Sequence, residues 1–201
     1  HLWGQYNKAW EAENLDRIFN KIYSVCSSDN KLIFSGSLAG VARMPFLKYI
    51  VEYEFWDDGE LKISLSGDIR KECVWLPRLG FEFKLKKEFN NFKYYGRGPY
   101  ENYIDMHYHT TTSLYESTAE NEYFPYTMPQ EHGNHTNCKY LAFNNGIELF
   151  TDDLFEFNVS KFTKEQLTKA MHINELKESD CVCVRIDYKV SGIGSGSCGA
   201  Q

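Results

Sequence analysis

The chain has 201 residues, a net charge of −6 at pH 7, 42% hydrophobic and 25% charged residues, a balance that excludes a disordered or low-complexity segment. Its pI is near 5.6 and no Lys/Arg cluster interrupts the acidic balance, so nucleic acid is not an expected partner. No apolar run reaches about 18 residues, so no membrane-spanning helix is expected.

Aromatic residues at 16% exceed ordinary usage, which points to a β-sheet core, a sugar-stacking surface or both. The six cysteines, at 26, 73, 138, 181, 183 and 198, form no paired C-x-x-C knuckles and read as free buried thiols. No linker, internal repeat or secretory leader is recognisable. One domain over 1–201 is therefore expected.

In chain order, Leu15 to Val25 fits helical spacing or a strand equally well. Lys31 to Phe34 and Phe46 to Phe55 read as strands, the second with Tyr49, Val51, Tyr53 and Phe55 on one face and Lys48, Glu52 and Glu54 on the other. Asp57-Asp58-Gly59 predicts a tight hairpin into Leu61, Ile63 and Leu65. Leu79, Phe81, Phe83 and Leu85 alternate as a half-buried strand. Asn144-Asn145-Gly146 predicts a second hairpin, between Lys139–Phe143 and Ile147–Phe150. Phe155, Phe157 and Val159 suggest an alternating edge strand. Thr163 and Gln166 form a capping box that opens one short helix, Lys164 to about Met171. The last strand carries Val182 to Val190, with Cys181 and Cys183 facing the same way. Many alternating strands and one helix predict an all-β sandwich.

Between these elements lies Tyr94 to Gly146, expected to be largely irregular. The Gly96-Arg97-Gly98-Pro99 run suggests glycines at positive φ followed by a locked proline. Tyr123, Phe124, Pro125, Tyr126 and Pro129 exclude a central strand. A long ordered loop of this kind places side chains, and is usually functional.

Tyr95-Gly96-Arg97-Gly98-Pro99-Tyr100-Glu101-Asn102-Tyr103-Ile104-Asp105, then Pro125-Tyr126 and Pro129-Gln130-Glu131-His132-Gly133-Asn134, then Gly192-Ile193-Gly194-Ser195-Gly196-Ser197-Cys198-Gly199 occur in the order that resembles the C-terminal domain of β-galactosidases of glycoside hydrolase family two. The resemblance covers nearly all of the chain. It implies a large antiparallel supersandwich, galactose mutarotase-like, with further strands before and after, so the chain reads as truncated at both ends. It also implies that the catalytic glutamates sit on a barrel domain of a larger, possibly oligomeric parent enzyme. That parent would cleave terminal β-galactosides with retention. In the family the glycine-rich closing loop reaches the active-site mouth, where some members carry Trp; here the tip carries Cys198, so an aromatic platform is missing.

The substrate-binding candidates are accordingly Ser197, Cys198, Arg97, Glu131 and His132, with no catalytic residue, metal or cofactor expected in this fragment. Arg97 is expected chiefly to pin its loop through Glu101 or Asp105. Glu101, Asp105, Glu116, Glu120, Glu122 and Glu131 offer chance carboxylate pairs, and His107 with His109 on one strand face, joined by His132 and His135, offers a weak metal reading. Two other functions stay open. A carbohydrate-binding module would stack sugar on Tyr100, Tyr103, Tyr123 and Tyr126, and a mutarotase-like enzyme would use Glu131 and a nearby His as base and acid. Asn134-His135-Thr136 and Asn158-Val159-Ser160 match the N-glycosylation sequon.

Overall fold

The computed structural model describes residues 6–73 and 75–192, an all-β chain with two antiparallel sheets and two short α-helices. These residues fall into two compact units that divide between Trp75 and Leu76. Ser197 and Cys198 lie outside the described residues.

The first unit opens with helix α1 (Tyr6–Ala12), which the sequence reading missed. It continues as a meander of β1 (Ile18–Ser28), β2 (Lys31–Gly40), β3 (Leu47–Phe55) and β4 (Leu61–Ile69), in that spatial order. The ambiguous Leu15–Val25 stretch is resolved in favour of a strand. Its β-branched and aromatic residues pair across to β2, from Ile18 opposite Gly40 to Val25 opposite Phe34. The predicted hairpin joins β3 to β4, with Phe55 opposite Leu61 and Gly59 at φ +90°.

The second unit is a six-stranded sheet in the order β5 (Arg78–Lys86), β10 (Cys181–Val190), β9 (Ile147–Ser160), β8 (Asn134–Phe143), β6 (Asn91–Gly98), β7 (Thr111–Thr118). Its apolar face collects Phe92, Tyr94, Leu141, Phe155, Phe157, Val159, Val182 and Val184 into one buried cluster. Each such side chain contributes about 1.5–3 kcal/mol by leaving water. The residues between them in sequence, Glu156, Asn158, Arg185 and Asp187, must point to the opposite face, and they are buried too. Helix α2 (Lys164–Lys169) starts at the expected capping box: Thr163 accepts from the Gln166 backbone and Gln166 reaches back to the Thr163 N–H.

Four expectations need correction. The Phe155–Val159 strand is not an edge: as part of β9 it lies between β8 and β10. The stretch from Tyr94 to Gly146 contains the whole of β7, and β8 begins at Asn134, five residues before the predicted start. Cys26 is exposed, so the thiols are not uniformly buried. Gly96 and Gly98 lie in β6 without positive φ; what they supply is space. A Cβ on Gly96 would stand 2.3 Å from Cys138 Sγ, and one on Gly98 would stand 2.2 Å from the Tyr94 hydroxyl and 2.8 Å from the Tyr115 ring. The Gly98–Pro99 bond is cis.

Because the Tyr94 ring is fully buried, it cannot yield to an added methyl at position 98 without disturbing the core. Gly98→Ala is expected to destabilise the fold by about 1–3 kcal/mol, read as a lower urea midpoint at unchanged slope.

Candidate functional site

The two loops bracketing β7, residues 99–110 and 119–133, meet over β8 and are fixed there by buried polar groups. Asn102 is the first of these, with no exposure. Its amide nitrogen donates to the carbonyls of Arg97 (3.1 Å) and Tyr100 (3.0 Å), and its amide oxygen accepts from the Thr136 N–H (2.9 Å) and hydroxyl (2.6 Å). Two carbonyls can only accept and a backbone N–H can only donate, so the amide orientation is determined by its neighbours. The Asn102 backbone is held as well: its N–H donates to the Asn134 carbonyl at 2.7 Å, and its carbonyl accepts from Asn134 Nδ2 at 3.1 Å.

Glu101 joins the two loops directly. One carboxylate oxygen accepts the Gly133 N–H at 2.7 Å and the other accepts the Tyr126 hydroxyl, so Glu101 is held by these donors rather than by the expected Arg97 fork. Arg97 contributes its carbonyl instead, which accepts from Asn102 and from His135 Nδ1 at 3.0 Å. Gly133 sits at φ +75°, where any side chain is strained. Burial, with Glu101 adding to it, raises the Tyr126 hydroxyl above its ordinary range, so that it remains a donor.

His135 is wholly buried within the apolar face, stacked on Phe157 at 5.0 Å between ring centroids. Its Nδ1 lies 3.0 Å from the Arg97 carbonyl and 3.1 Å from the Tyr94 hydroxyl. Its Nε2 lies 2.7 Å from Glu122, whose other oxygen accepts from Ser117 Oγ. The pair ties the turn after β7 into the core. His107 and His109 do not share a strand face, as had been expected: they lie in the turn before β7, each within hydrogen-bonding distance of a backbone carbonyl, Tyr103 and Glu101 respectively. Among the described residues no group of three or more His, Cys, Asp or Glu is arranged for a metal.

Glu131 opens a second cluster, on the polar face of the sheet. Arg78 grips both Asp187 oxygens and donates Nη1 to Glu131 at 2.5 Å. Arg185 reaches Asn158 Oδ1 at 3.2 Å and lies 3.5 Å from both Glu131 and Glu82. Burial pushes Asp187 up and the Arg78 fork pulls against it, while Arg78 is held well above its ordinary range by its two carboxylate partners against the cost of burial. Glu156, only 2% exposed, is raised by burial, opposed by the Asn134 amide (3.1 Å) and by Lys189 (3.9 Å). His132 is buried, its Nδ1 2.7 Å from the Gln130 carbonyl and its ring against Tyr123 and Tyr126.

Of the named candidates, then, Glu131 is exposed at the rim of the ion cluster, His132 lies behind it, and Arg97 belongs to the Asn102 network. The four tyrosines do not make one platform. Tyr100 is 68% exposed, whereas Tyr123 packs on His132 and Phe162 and Tyr126 is spent on Glu101. Both sequon asparagines are buried and hydrogen-bonded. Sequence reasoning missed Asn102, Arg78, Glu156, Arg185 and Asp187. The one available signal was the alternating charges Arg185, Asp187 and Lys189 on one face of the final strand.

Asn102→Asp replaces two donors with acceptors aimed at two carbonyls, and is expected to cost at least about 3 kcal/mol, measured by urea unfolding at pH 7. Glu156→Gln should act oppositely. A raised carboxyl destabilises the ionised fold, so the wild type loses stability as pH rises through the ordinary glutamate range to the folded value. The variant is expected to melt higher at pH 7 and to converge with wild type below about pH 4.

A family model described as "Beta galactosidase small chain" matches residues 3–201. Over 196 residues the chain is 34% identical to a β-galactosidase of Actinobacillus pleuropneumoniae, covering 96% of this chain and 19% of that protein. It is 30% identical over 173 residues to one of Staphylococcus xylosus (85% and 17%) and 28% identical over 207 residues to one of Kluyveromyces lactis (96% and 20%). The chain thus spans about a fifth of the length of these relatives. With an all-β fold, a Tyr-Gly-Arg-Gly run closing β6 and a Pro-Gln-Glu-His-Gly loop behind that match, the chain belongs to the β-galactosidase small chain family.

Proposed function

We propose that the chain is a non-catalytic domain of a larger β-galactosidase, packing on a catalytic barrel and shaping the rim of its galactoside pocket. The observation that carries this reading is a match along nearly the whole chain to about a fifth of each β-galactosidase. Retaining hydrolysis needs two carboxyl groups about 5–5.5 Å apart, one a nucleophile and one an acid/base. Here Glu101, Glu122 and Glu131 hold structure: the first joins two loops, the second pairs with His135 and the third with Arg78. The reacting pair is assigned to the remainder of the parent.

Two surfaces suit packing against that remainder. The 99–133 region presents Tyr100, Ile104, Tyr108 and Phe124, 54–95% exposed, on backbone fixed by Asn102 and Glu101. Strand β1 exposes Ile18, Phe19, Ile22, Tyr23 and Val25 at 50–59%. Apolar residues presented in groups mark an interaction surface. For the rim, Ser197 and Cys198 remain the proposed contacts, with Glu131, Arg97 and His132 supporting the adjoining loops. Gly192 packs against this region so closely that an added Cβ would meet the Asp105 carboxyl at 1.9 Å.

Among alternatives, a sugar-binding module is disfavoured because Tyr123 and Tyr126 spend their faces on packing, and a mutarotase because Glu131 is engaged by Arg78 with Arg185 close by.

The 201-residue chain alone is expected to release no nitrophenol from a nitrophenyl β-galactoside above buffer, whereas the longer protein does; hydrolysis by the chain alone would overturn the proposal. In the longer protein, Tyr100→Asp with Tyr108→Asp should lower kcat/KM at least roughly tenfold, about 1.4 kcal/mol, while leaving the unfolding of the isolated chain unchanged.

A further inference from the structure

Cys181 and Cys183 stand two apart on β10, on the same side of the strand, with their sulfurs 4.0 Å apart. Ser179 Oγ lies 3.2 Å from Cys181 Sγ. Across the strand pair, Lys86 is opposite Cys181 and Lys84 opposite Cys183. Cys183 is 1% exposed and Cys181 is half-buried, so the pair is reached from the Cys181 side.

Extended strand geometry separates alternate Cα atoms by about 6.6 Å, at the upper limit for a disulfide, whose sulfurs must close to about 2.05 Å. The thiols therefore face each other without bonding. Two metal–sulfur bonds of about 2.3 Å each bridge a sulfur separation of 4.0 Å as a bent pair, and about 4.6 Å when linear. A small side-chain rotation spans that range. Ions that need three or four protein ligands are not served, because no such group occurs among the described residues. Soft thiolates with only two positions select copper(I) over harder cations.

We propose that Cys181 and Cys183 form a two-coordinate site for a soft monovalent cation of the copper(I) class. Burial, with Cys181 beside it, pushes the Cys183 thiol up to about 11. Binding replaces two S–H bonds with two S–Cu bonds and releases two protons, with no change of oxidation state. The resulting dithiolate complex carries one negative charge. Lys84 and Lys86 stand opposite the two cysteines and Arg185 favours the thiolate form, with Glu82 the one opposing charge named beside them.

The test is an anaerobic titration of the 201-residue chain, with Cys26, Cys73 and Cys198 changed to Ser, using copper(I) buffered by a competing chelator. One equivalent should bind, releasing two protons and producing a sulfur-to-copper charge-transfer band in the ultraviolet. Cys181→Ser and Cys183→Ser should each weaken binding at least a hundredfold. Equal affinity in the double variant would overturn the site, as would tighter binding of zinc than of copper(I). A second measurement does not depend on the variants folding: one equivalent of copper(I) should protect Cys181 from maleimide alkylation in the unaltered chain. Undiminished alkylation would equally overturn it.

Discussion

A buried primary amide has two donor and two acceptor positions, and leaving any of them empty away from water costs about 1–3 kcal/mol. Asn102 fills all four, with partners drawn from Arg97, Tyr100 and Thr136. The consequence is geometric. Two chain segments distant in sequence, 97–102 and 134–136, are held to within hydrogen-bond tolerance, and the exposed Tyr100, Ile104 and Tyr108 inherit that fixity. Glu101 and the His135–Glu122 pair extend the same logic to the second loop, pinning it to the strand beneath. These exposed side chains are thus carried on scaffolding made of polar contacts rather than apolar ones.

The opposite face of the same sheet shows what such polarity costs. Burying Arg185, Asp187 and Glu156 exposes each to a desolvation penalty that pairing only partly offsets, and the raised Glu156 records the unpaid part. Apolar residues of similar volume would give a more stable sheet. What the ions supply instead is register: Arg78 meets both oxygens of Asp187 only if β5 and β10 align as they do. A slip by one residue would place Asp187 and Arg185 in the phenylalanine-rich face.

Elements governed by local chemistry were legible in the sequence. Asp57-Asp58-Gly59 and Asn144-Asn145-Gly146 announce their hairpins through the need for positive φ at glycine, and Thr163 with Gln166 announces α2. Alternation located β3, β5 and β10. It failed for β7 and the first half of β8, where Asn134, His135 and Thr136 are polar and yet buried, so no apolar period marks them. The same cause hid the ion cluster: Arg185 and Asp187 read as a solvated face because nothing local reveals that another polar layer covers them. Glycines 96 and 98 invited a turn reading. Their real constraint, the Tyr94 ring and the Cys138 sulfur, lies on the strand and its neighbour and is visible only in three dimensions.

Strand β1 has a consequence of its own. Among the described residues it pairs only with β2, so one whole flank of an 11-residue strand offers a row of free N–H and C=O groups beside exposed Ile, Phe and Val side chains. Lys21 is its only charged side chain, and neither proline nor an inward-pointing acid interrupts it. Such a border templates the addition of another strand, whether from the same polypeptide or from a second molecule. Any strand or helix that covers this border of β1 therefore also acts as a guard against fibril-like stacking, and the chain without such a guard would need low concentration or a capping strand to stay dispersed.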